Sequence, residues 1–269
     1  MVDCHCARVV FTAFERASQS TQCTHFHNGT DATILTSTAE LEPQSFRYLL
    51  VLDFEAVCDE VTRPKPQEII EFPTVVLDTT TLEIVGSFHK YVRPVSHPIL
   101  TPFCTTLTGI TQDMVSGQAT FQEVFDEHLA WIQSFWKSLP PAANADADAA
   151  STASSSIPSE APTWAFVTCG DWDLNRALPD QLAALGKKSP APYRQWINIK
   201  KEFAVKYGVS PPGMTAMLDM LRLDLVGRHH SGIDDCRNIA AVAKEMLRDG
   251  HVFEITGTRG ESKGSKASC

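Results

Sequence analysis

The stretch Tyr48-Leu49-Leu50-Val51-Leu52-Asp53-Phe54-Glu55-Ala56 places two carboxylates, one residue apart, after five apolar or aromatic residues. An apolar run of this length bounded by charge predicts a strand that is buried on both faces. Residues two apart in a strand project from the same face, so we expect the side chains of Asp53 and Glu55 to lie together. Carboxylates held so close repel unless a cation neutralises them, which favours a divalent metal site. From this stretch alone, two solvated residues at a strand end are an equal alternative.

The composition limits what surrounds this strand. A chain of 269 residues with a net charge of -9 suits one α/β domain with appendages. The acidic balance argues against a protein that grips nucleic acid by bulk positive charge, so any such contact has to be local or metal-mediated. No apolar run reaches about 18 residues, so we expect no membrane span. Eight scattered cysteines predict reduced thiols and an intracellular location, cytoplasmic or nuclear, with a mitochondrial location left open.

The pattern of residues divides the chain into one structured region and three segments without sustained periodicity. Residues 1–45 predict a flexible arm, residues 140–162 a low-complexity insertion of Ala, Ser, Asp and Pro, and residues 259–269 a tail. Residues 46–258 remain as the structured domain, which contains Asp53 and Glu55. The arm contains five residues able to ligate zinc, whose spacing fits no common zinc module and favours chance clustering: Cys4, Cys6, Cys23, His25 and His27.

Within the domain, strand patterns come first and alternate with helix patterns later. Residues 68–77 and 81–92 are two strand-like runs joined by Asp78-Thr79-Thr80, which predicts a hairpin. Residues 121–139 carry apolar side chains at helical spacing, and residues 164–168 predict a further strand. A last helix capped by Ser231 carries apolar residues from Ile233 to Leu247. This order predicts a mixed α/β sheet flanked by helices on both faces.

Three further residues complete a candidate site with Asp53 and Glu55. Asp173 lies where the chain leaves a strand for a helix, which is where α/β sheets place functional groups. His230 precedes the last helix and Asp235 sits about one turn inside it. Four such carboxylates could hold two Mg²⁺ ions that polarise a phosphodiester, while a histidine collects the proton of the attacking water. For Asp171, and for one residue of the pair Asp234 and Asp235, a role only at a helix N-terminus is the alternative.

The order of these residues resembles the DEDDh 3′-to-5′ exonucleases of the ribonuclease-H-like superfamily. Neighbouring motifs narrow the resemblance to the Eri-type exoribonucleases, which trim the ends of histone mRNA, small interfering RNA and ribosomal RNA. The resemblance covers about residues 47–255. It rests on Asp53-Phe54-Glu55-Ala56, Glu68-Ile69-Ile70-Glu71-Phe72-Pro73, Phe103-Cys104, Leu107-Thr108-Gly109-Ile110-Thr111-Gln112, Trp196-Ile197-Asn198 and His230-Ser231-Gly232-Ile233-Asp234-Asp235.

The resemblance implies a ribonuclease-H-like mixed sheet and assigns roles to single residues. It implies that His230 is the general base and that the metal ligands are Asp53, Glu55, Asp173 and Asp235. The residues that it implies border the substrate are Phe54, Ala56, Phe103, Thr108, Trp172, Leu174 and Lys200. Phe103 and Trp172 are core aromatics in the alternative interpretation, and Trp172 is the better candidate for stacking on a base.

The implied reaction is metal-dependent shortening of single-stranded RNA from its 3′ end to nucleoside 5′-monophosphates. The implied cofactor is Mg²⁺, two ions per site, with Mn²⁺ as a substitute. A DNA exonuclease and a non-catalytic RNA-binding scaffold on the same fold are the alternatives. Between Gly186 and Arg237, nine Lys or Arg stand against five Asp or Glu. This surplus, with Lys187, Lys188, Lys200 and Lys201, predicts a local phosphate-binding strip, and an ordinary solvated face is the alternative.

Overall fold

The computed structural model describes residues 41–139 and 163–260. Most of the predicted arm, the insertion and most of the predicted tail lie outside these ranges, so their assignments stay predictions. Gln44, inside the predicted arm, is bonded to the domain: its Nε2 donates to the carbonyl of His251 at 2.9 Å, and its Oε1 accepts from the backbone N–H of Phe253 at 3.1 Å. No helix in the described ranges is both long enough and apolar enough to cross a membrane.

A mixed sheet of seven strands forms the centre of the described fold. The strands are β1 Tyr48–Leu52, β2 Glu55–Ala56, β3 Ile69–Asp78, β4 Ile84–Tyr91, β5 Trp164–Thr168, β6 Gln195–Asn198 and β7 Gly257–Thr258. Their order is β2-β3-β1-β5-β6-β7, with β4 paired to β3. Strand β1 runs antiparallel to β3 and parallel to β5, and β3 and β4 form the predicted hairpin. Because β1 and β5 run parallel, their carboxyl ends lie side by side at one edge of the sheet. The candidate residues are expected at this edge.

The helices lie between the strands along the chain. They are α1 Pro102–Thr108, α2 Gln112–Ser116, α3 Phe121–Ser138, α4 Leu178–Ala184, α5 Ile199–Tyr207, α6 Met214–Leu221 and α7 Gly232–Arg248. A π-helical turn, Asp173–Ala177, leads directly into α4, and a short 3₁₀ turn, Ala191–Arg194, precedes β6. The pattern in residues 121–139 therefore predicted α3 to within a residue, and the predicted strand at residues 164–168 is β5.

The side chains of β1 alternate between two buried clusters on opposite faces of the sheet. Leu49 and Val51 pack with apolar residues of α5, α6 and α7. Tyr48, Leu50 and Leu52 pack with residues of α3 and α4 on the other face. All five are at most 4% exposed, so the strand is buried on both faces as predicted. Helices on both faces confirm the predicted architecture.

The chain departs from a regular strand at the carboxylates. We expected Asp53 and Glu55 to share one face of a continuous strand, but β1 ends at Leu52 and pairing resumes only at Glu55. The short strand β2 pairs with β3 through an irregular register between Glu55 and Ala56. An irregularity of this kind redirects side chains beside functional sites. The two carboxylates are therefore brought together by a bend at the strand end rather than by simple alternation.

Candidate active site

Three carboxylates from three elements converge where β1 ends. Asp53 follows β1, Glu55 begins β2, and Asp235 lies in the first turn of α7. One oxygen from each lies within 4.8 Å of the other two. Glu55 is 8% exposed and Asp235 is 4% exposed, so water screens their charges poorly. The structure thus brings together three of the four predicted metal ligands.

The fourth predicted ligand, Asp173, lies beside this group at the start of the π-helical turn. Its Oδ1 accepts a hydrogen bond from the backbone N–H of Phe54 at 2.9 Å, which ties the turn to the end of β1. Its charge contributes to the raised pKa of Asp53, second only to burial among the causes. Asp173 is outside the set of oxygens that lie within 4.8 Å of one another, so its role as a metal ligand stays a prediction.

Burial raises the pKa of every carboxyl in this group. The pKa of Asp53 lies well above its usual range, first through burial and then through the charges of Asp173 and Glu55. Burial, followed by the charges of Glu71 and Asp235, raises the pKa of Glu55 to about 9. Burial is also the largest cause for Asp173 and Asp235, whose pKa values rise to about 6. Asp53 and Glu55 therefore ionise readily at neutral pH only if a positive charge joins them.

The donor set fits a divalent cation. Carboxylate oxygens are the ligands that Mg²⁺ and Mn²⁺ prefer. The Oδ1 atom of Asp235 is buried and has no hydrogen-bond partner among the described residues, whereas its Oδ2 accepts from the backbone N–H of His230 at 2.9 Å. A buried oxygen without a partner is costly, and a bound cation would satisfy it.

His230 stands next to this group in an unusual backbone conformation. Its φ of 64° lies in the left-handed region, where few residues other than Gly, Asn and Asp are found. Its ring stacks on that of His229, with ring centroids 3.9 Å apart. Burial, followed by the nearby charges of His229 and Arg228, lowers the pKa of His230. The imidazole is therefore neutral at pH 7 and has a free lone pair to accept a proton.

Arg228 connects the histidine loop to α1. Its guanidinium donates to the backbone carbonyls of Thr106 and Leu107, at the C-terminal end of that helix. Gly109 follows α1 with φ 76°, and a Cβ atom placed there would lie 2.7 Å from the Nε of Arg228. The glycine therefore permits both the turn and the close approach of the guanidinium. No sequence motif predicts a role for Arg228, although this residue stands two residues before His230.

The residues expected to border the substrate differ in accessibility. Phe103 is 37% exposed on α1 and Trp172 is half-buried beside Asp173, so both can meet a ligand. Lys200 is half-buried at the start of α5. The remaining side chains belong to the core: Phe54, Ala56, Thr108 and Leu174 are each at most 6% exposed. All seven substrate assignments stay predictions.

One local alternative needs correction. Asp171 does not cap a helix with its side chain, since its Oδ1 accepts from the indole N–H of Trp196 at 2.9 Å and from Asn198 Nδ2 at 3.0 Å. Lys201 forms an ion pair with Asp171 at 2.9 Å, and its place in the phosphate-binding strip stays a prediction. Asp234 accepts from the backbone N–H of Arg228 at 3.0 Å, so it holds the histidine loop and is the member of its pair outside the carboxylate group.

Comparison with known proteins places this chain in a family. Residues 50–243 match the exonuclease family model RNase_T. The ERI1 exoribonuclease 3 of Bos taurus is 43% identical over 215 residues, which cover 80% of this chain and 58% of that protein. This chain therefore aligns with somewhat more than half the length of that relative.

Two solved structures are similar over most of the chain. The nuclease domain of 3′hExo, a DEDDh family member bound to rAMP, is 36% identical with a TM-score of 0.69, covering 81% of this chain and 100% of that one. A 3′-exonuclease in a structure of 3′-end specific recognition of the histone mRNA stem-loop is 34% identical with a TM-score of 0.70, covering 81% and 69%. These matches confirm the predicted resemblance and the ribonuclease-H-like fold. The chain belongs to the RNase_T exonuclease family.

Proposed function

We propose that this protein is a metal-dependent 3′-to-5′ exoribonuclease that shortens single-stranded RNA to nucleoside 5′-monophosphates. The observation that carries the proposal is the convergence of Asp53, Glu55 and Asp235 beside a neutral His230. A relative named as an exoribonuclease and a similar nuclease domain bound to rAMP support RNA as the substrate. Because the chain aligns with only part of that relative, the activity of this chain is inferred from the residues of its own candidate site.

Asp53, Glu55 and Asp235 would hold the divalent ion, with Asp173 as the further ligand. When bound there, divalent ions supply charge stabilisation of the phosphodiester and a lowered pKa of water. We take Mg²⁺, two ions per site, as the physiological cofactor and Mn²⁺ as its substitute. The buried carboxylates cannot all be ionised without such a positive charge, which is the reason for expecting the protein to be inactive in EDTA.

His230 supplies the base. Its lowered pKa keeps the ring able to accept the proton of the attacking water at neutral pH. The bond from its backbone N–H to Asp235 fixes the loop against the carboxylate group, so the base and the metal ligands move as one unit. Its left-handed φ is a local strain that the surrounding bonds maintain, as is common for residues at active sites.

Phe103, which is exposed, and Trp172, which is half-buried, offer aromatic surface for the last base. Stacking of a base on an aromatic side chain is worth about 1–3 kcal/mol and requires the base to be unpaired, which explains the expected preference for a single strand. Cleavage of the last phosphodiester by water leaves the phosphate on the released nucleotide. The preference for RNA over DNA rests on the relatives.

The test is digestion of 5′-labelled RNA and DNA of the same sequence in Mg²⁺, Mn²⁺ or EDTA. Wild-type protein should shorten RNA stepwise in Mg²⁺ and release nucleoside 5′-monophosphates, and Asp53→Asn should not. Glu83→Gln, which changes an exposed carboxylate between β3 and β4, serves as the control and should retain activity. Equal or faster digestion of DNA would make the protein a DNA exonuclease. RNA binding without cleavage in either metal would make it a scaffold.

A further inference from the structure

A positively charged cavity of about 360 Å³ lies beside α4. Its other lining residues come from two parts of the chain, namely Lys187, Lys188, Ser189 and Arg194 after α4, and Arg259 and Gly260. Among the described residues, four basic side chains line it and no acidic one does: Lys187, Lys188, Arg194 and Arg259. The chain as a whole carries a net charge of -9, so this concentration of positive charge is local. A cavity lined by one sign of charge concentrates ligands of the opposite sign.

The backbone around the cavity is fixed by hydrogen bonds. The Nε of Arg194 donates to the carbonyl of Ser189 at 2.7 Å, and the backbone N–H of Arg259 donates to the carbonyl of Arg194 at 2.7 Å. The guanidinium of Arg259 also donates to the carbonyl of Asn175 in the π-helical turn. Both arginines are thus held in place before any ligand arrives, which lowers the entropy cost of binding.

The groups that line the cavity suit a phosphate. A phosphate oxygen accepts hydrogen bonds from hydroxyl, ammonium and guanidinium groups alike. Four of the lining side chains end in an ammonium or guanidinium group, and among the described lining residues none carries a negative charge. The cavity therefore matches the charge and the hydrogen-bonding needs of a phosphate.

The cavity lies against α4, the helix that follows the predicted metal ligand Asp173. Pro179 and Ala183, which line it, lie six and ten residues after Asp173, and at 1.5 Å per residue this places the cavity roughly 9–15 Å along that helix. A second cavity, about 460 Å³, is lined by Trp172 and Arg176 of the same turn. Arg63 and Lys65 add two more positive charges to this second cavity, and Asp180 adds one negative charge. Residues of the turn or of α4 thus line both cavities, and basic residues outnumber acidic ones in each.

We propose that the cavity formed by Lys187, Lys188, Ser189, Arg194 and Arg259 binds a phosphodiester of the RNA strand a few nucleotides before its 3′ end. This inference rests on the proposed exoribonuclease function and deepens it. Such a site is too far from the carboxylates to touch the reacting phosphate. It increases affinity for strands that are long enough to reach it, and it keeps the shortened strand attached between cleavage steps.

The test measures how removal of two positive charges changes the KM for a long and for a short RNA. Lys187 and Lys188 are exposed, so Lys187→Ala/Lys188→Ala should fold normally. For an RNA of roughly 20 nucleotides at about 0.1 M salt, the KM of this variant should rise on the order of 10-fold, and the salt dependence of log KM should become less steep by about 0.7, because the cavity neutralises one phosphate and each phosphate neutralised on a single strand contributes about 0.7. The KM for a three-nucleotide RNA, too short to reach the cavity, should stay at the wild-type value.

The matched control is Lys90→Ala/Lys137→Ala, which removes two positive charges from the exposed surface of β4 and α3. Its KM for both RNAs should equal that of wild type. An equal change with both lengths, or no change with the long RNA, would overturn the proposal. Titration calorimetry with inorganic phosphate covers the other source of the same chemistry. Phosphate binding lost in the lysine variant, without any effect of RNA length, would assign the cavity to a free phosphate instead.

Fluorescence anisotropy of labelled RNA in EDTA separates this proposal from the proposed activity. Wild type should bind the long RNA more tightly than the lysine variant even though no cleavage occurs. A wild-type protein that cuts no RNA in Mg²⁺ would refute the exoribonuclease function, and the anisotropy difference would still decide whether the cavity binds the strand. Equal affinities of wild type and variant would refute the cavity as a binding site.

Discussion

The buried carboxylate of Glu71 accepts a hydrogen bond from the backbone N–H of Gly232 at 2.9 Å, although 161 residues separate the two in sequence. It also accepts from the N–H of Ile233 at 3.1 Å. These N–H groups open α7, where donors lack helical partners and the helix dipole favours negative charge. The expected cap, Ser231, occupies the right position but forms no capping bond with its side chain. Because His230 and Asp235 flank this turn, Glu71 positions both.

Replacing Glu71 by Gln tests this positioning role. Gln has the same size, but it loses the charge and turns a donor toward backbone donors, so the free energy of unfolding should fall by about 2–4 kcal/mol. The turnover of RNA should fall with it, because the N-terminus of α7 carries the base and a metal ligand. Urea unfolding and turnover, both in Mg²⁺, measure the two effects. Glu127→Gln, in an exposed ion pair with Lys90, is the control and should change stability by less than about 1 kcal/mol. Wild-type stability and turnover in Glu71→Gln would contradict the role.

The raised pKa values of the site carboxyls predict how stability depends on pH when no metal is bound. A group whose pKa is higher in the folded than in the unfolded protein favours folding at low pH, and this contribution is lost as the pH rises through the folded value. For Glu55 the window runs from its ordinary pKa, about 4.5, to about 9. Metal-free protein should therefore become less stable between about pH 5 and pH 9, and Mg²⁺ should restore the stability.

Glu55→Gln isolates this effect, because glutamine does not ionise. In EDTA at about pH 8, the variant should melt a few degrees above wild type, since roughly 1 kcal/mol corresponds to about 2–4 °C for a domain of this size. At about pH 5 the two should melt together, and the variant should be inactive at either pH. Glu60→Gln, which alters an exposed carboxylate nearby, should show no such dependence. A melting difference that is the same at both pH values would contradict the assigned pKa.

Local patterns predicted β1, α3 and α7 because the spacing of apolar residues along the sequence indicates a buried strand or the buried face of a helix. The same patterns could not predict contacts between distant residues. The bond between Glu71 and Gly232, and the bonds of Asp171 to Trp196 and Asn198, depend on how the elements pack. Without these long-range contacts, the sequence at the start of α7 suggests Ser or Asp as the N-cap residue. Tertiary structure overrides this local preference. The sequence around Glu71 forms part of a motif but does not predict the contact with Gly232.

The contact between Gly109 and Arg228 is another relationship of this kind. Gly109→Ala should destabilise the protein by roughly 1–3 kcal/mol, because alanine disfavours φ 76° and its Cβ would meet the guanidinium. Displacing Arg228 should also raise KM for RNA, since α1 carries Phe103. Thermal unfolding and KM measure these effects. Gly117→Ala is the matched control, having open space around its Cβ and an ordinary φ of -96°, and should have little effect. Equal effects of the two substitutions would show that the contact is unimportant.

His230 is expected to act through chemistry rather than through stability. Since general-base catalysis contributes about 10²- to 10⁴-fold in rate, His230→Ala should lower kcat by that amount while RNA affinity in EDTA stays near the wild-type value. Alanine at φ 64° also adds strain, so His230→Asn is the better variant, because Asn tolerates the left-handed region. The two variants should lose the same activity, and Asn should retain more stability.

The pH profile of kcat provides the final check on His230. The lowered pKa means that the acid limb of the wild-type profile, where the ring takes up a proton and can no longer act as a base, should lie at lower pH than for an ordinary histidine. Both His230 variants should lose this acid limb. In His229→Ala, the loss of the neighbouring positive charge should raise the pKa of His230 and move the limb to higher pH, with turnover near pH 8 unchanged. An acid limb that persists in His230→Asn, or turnover unchanged at neutral pH, would show that another group is the base.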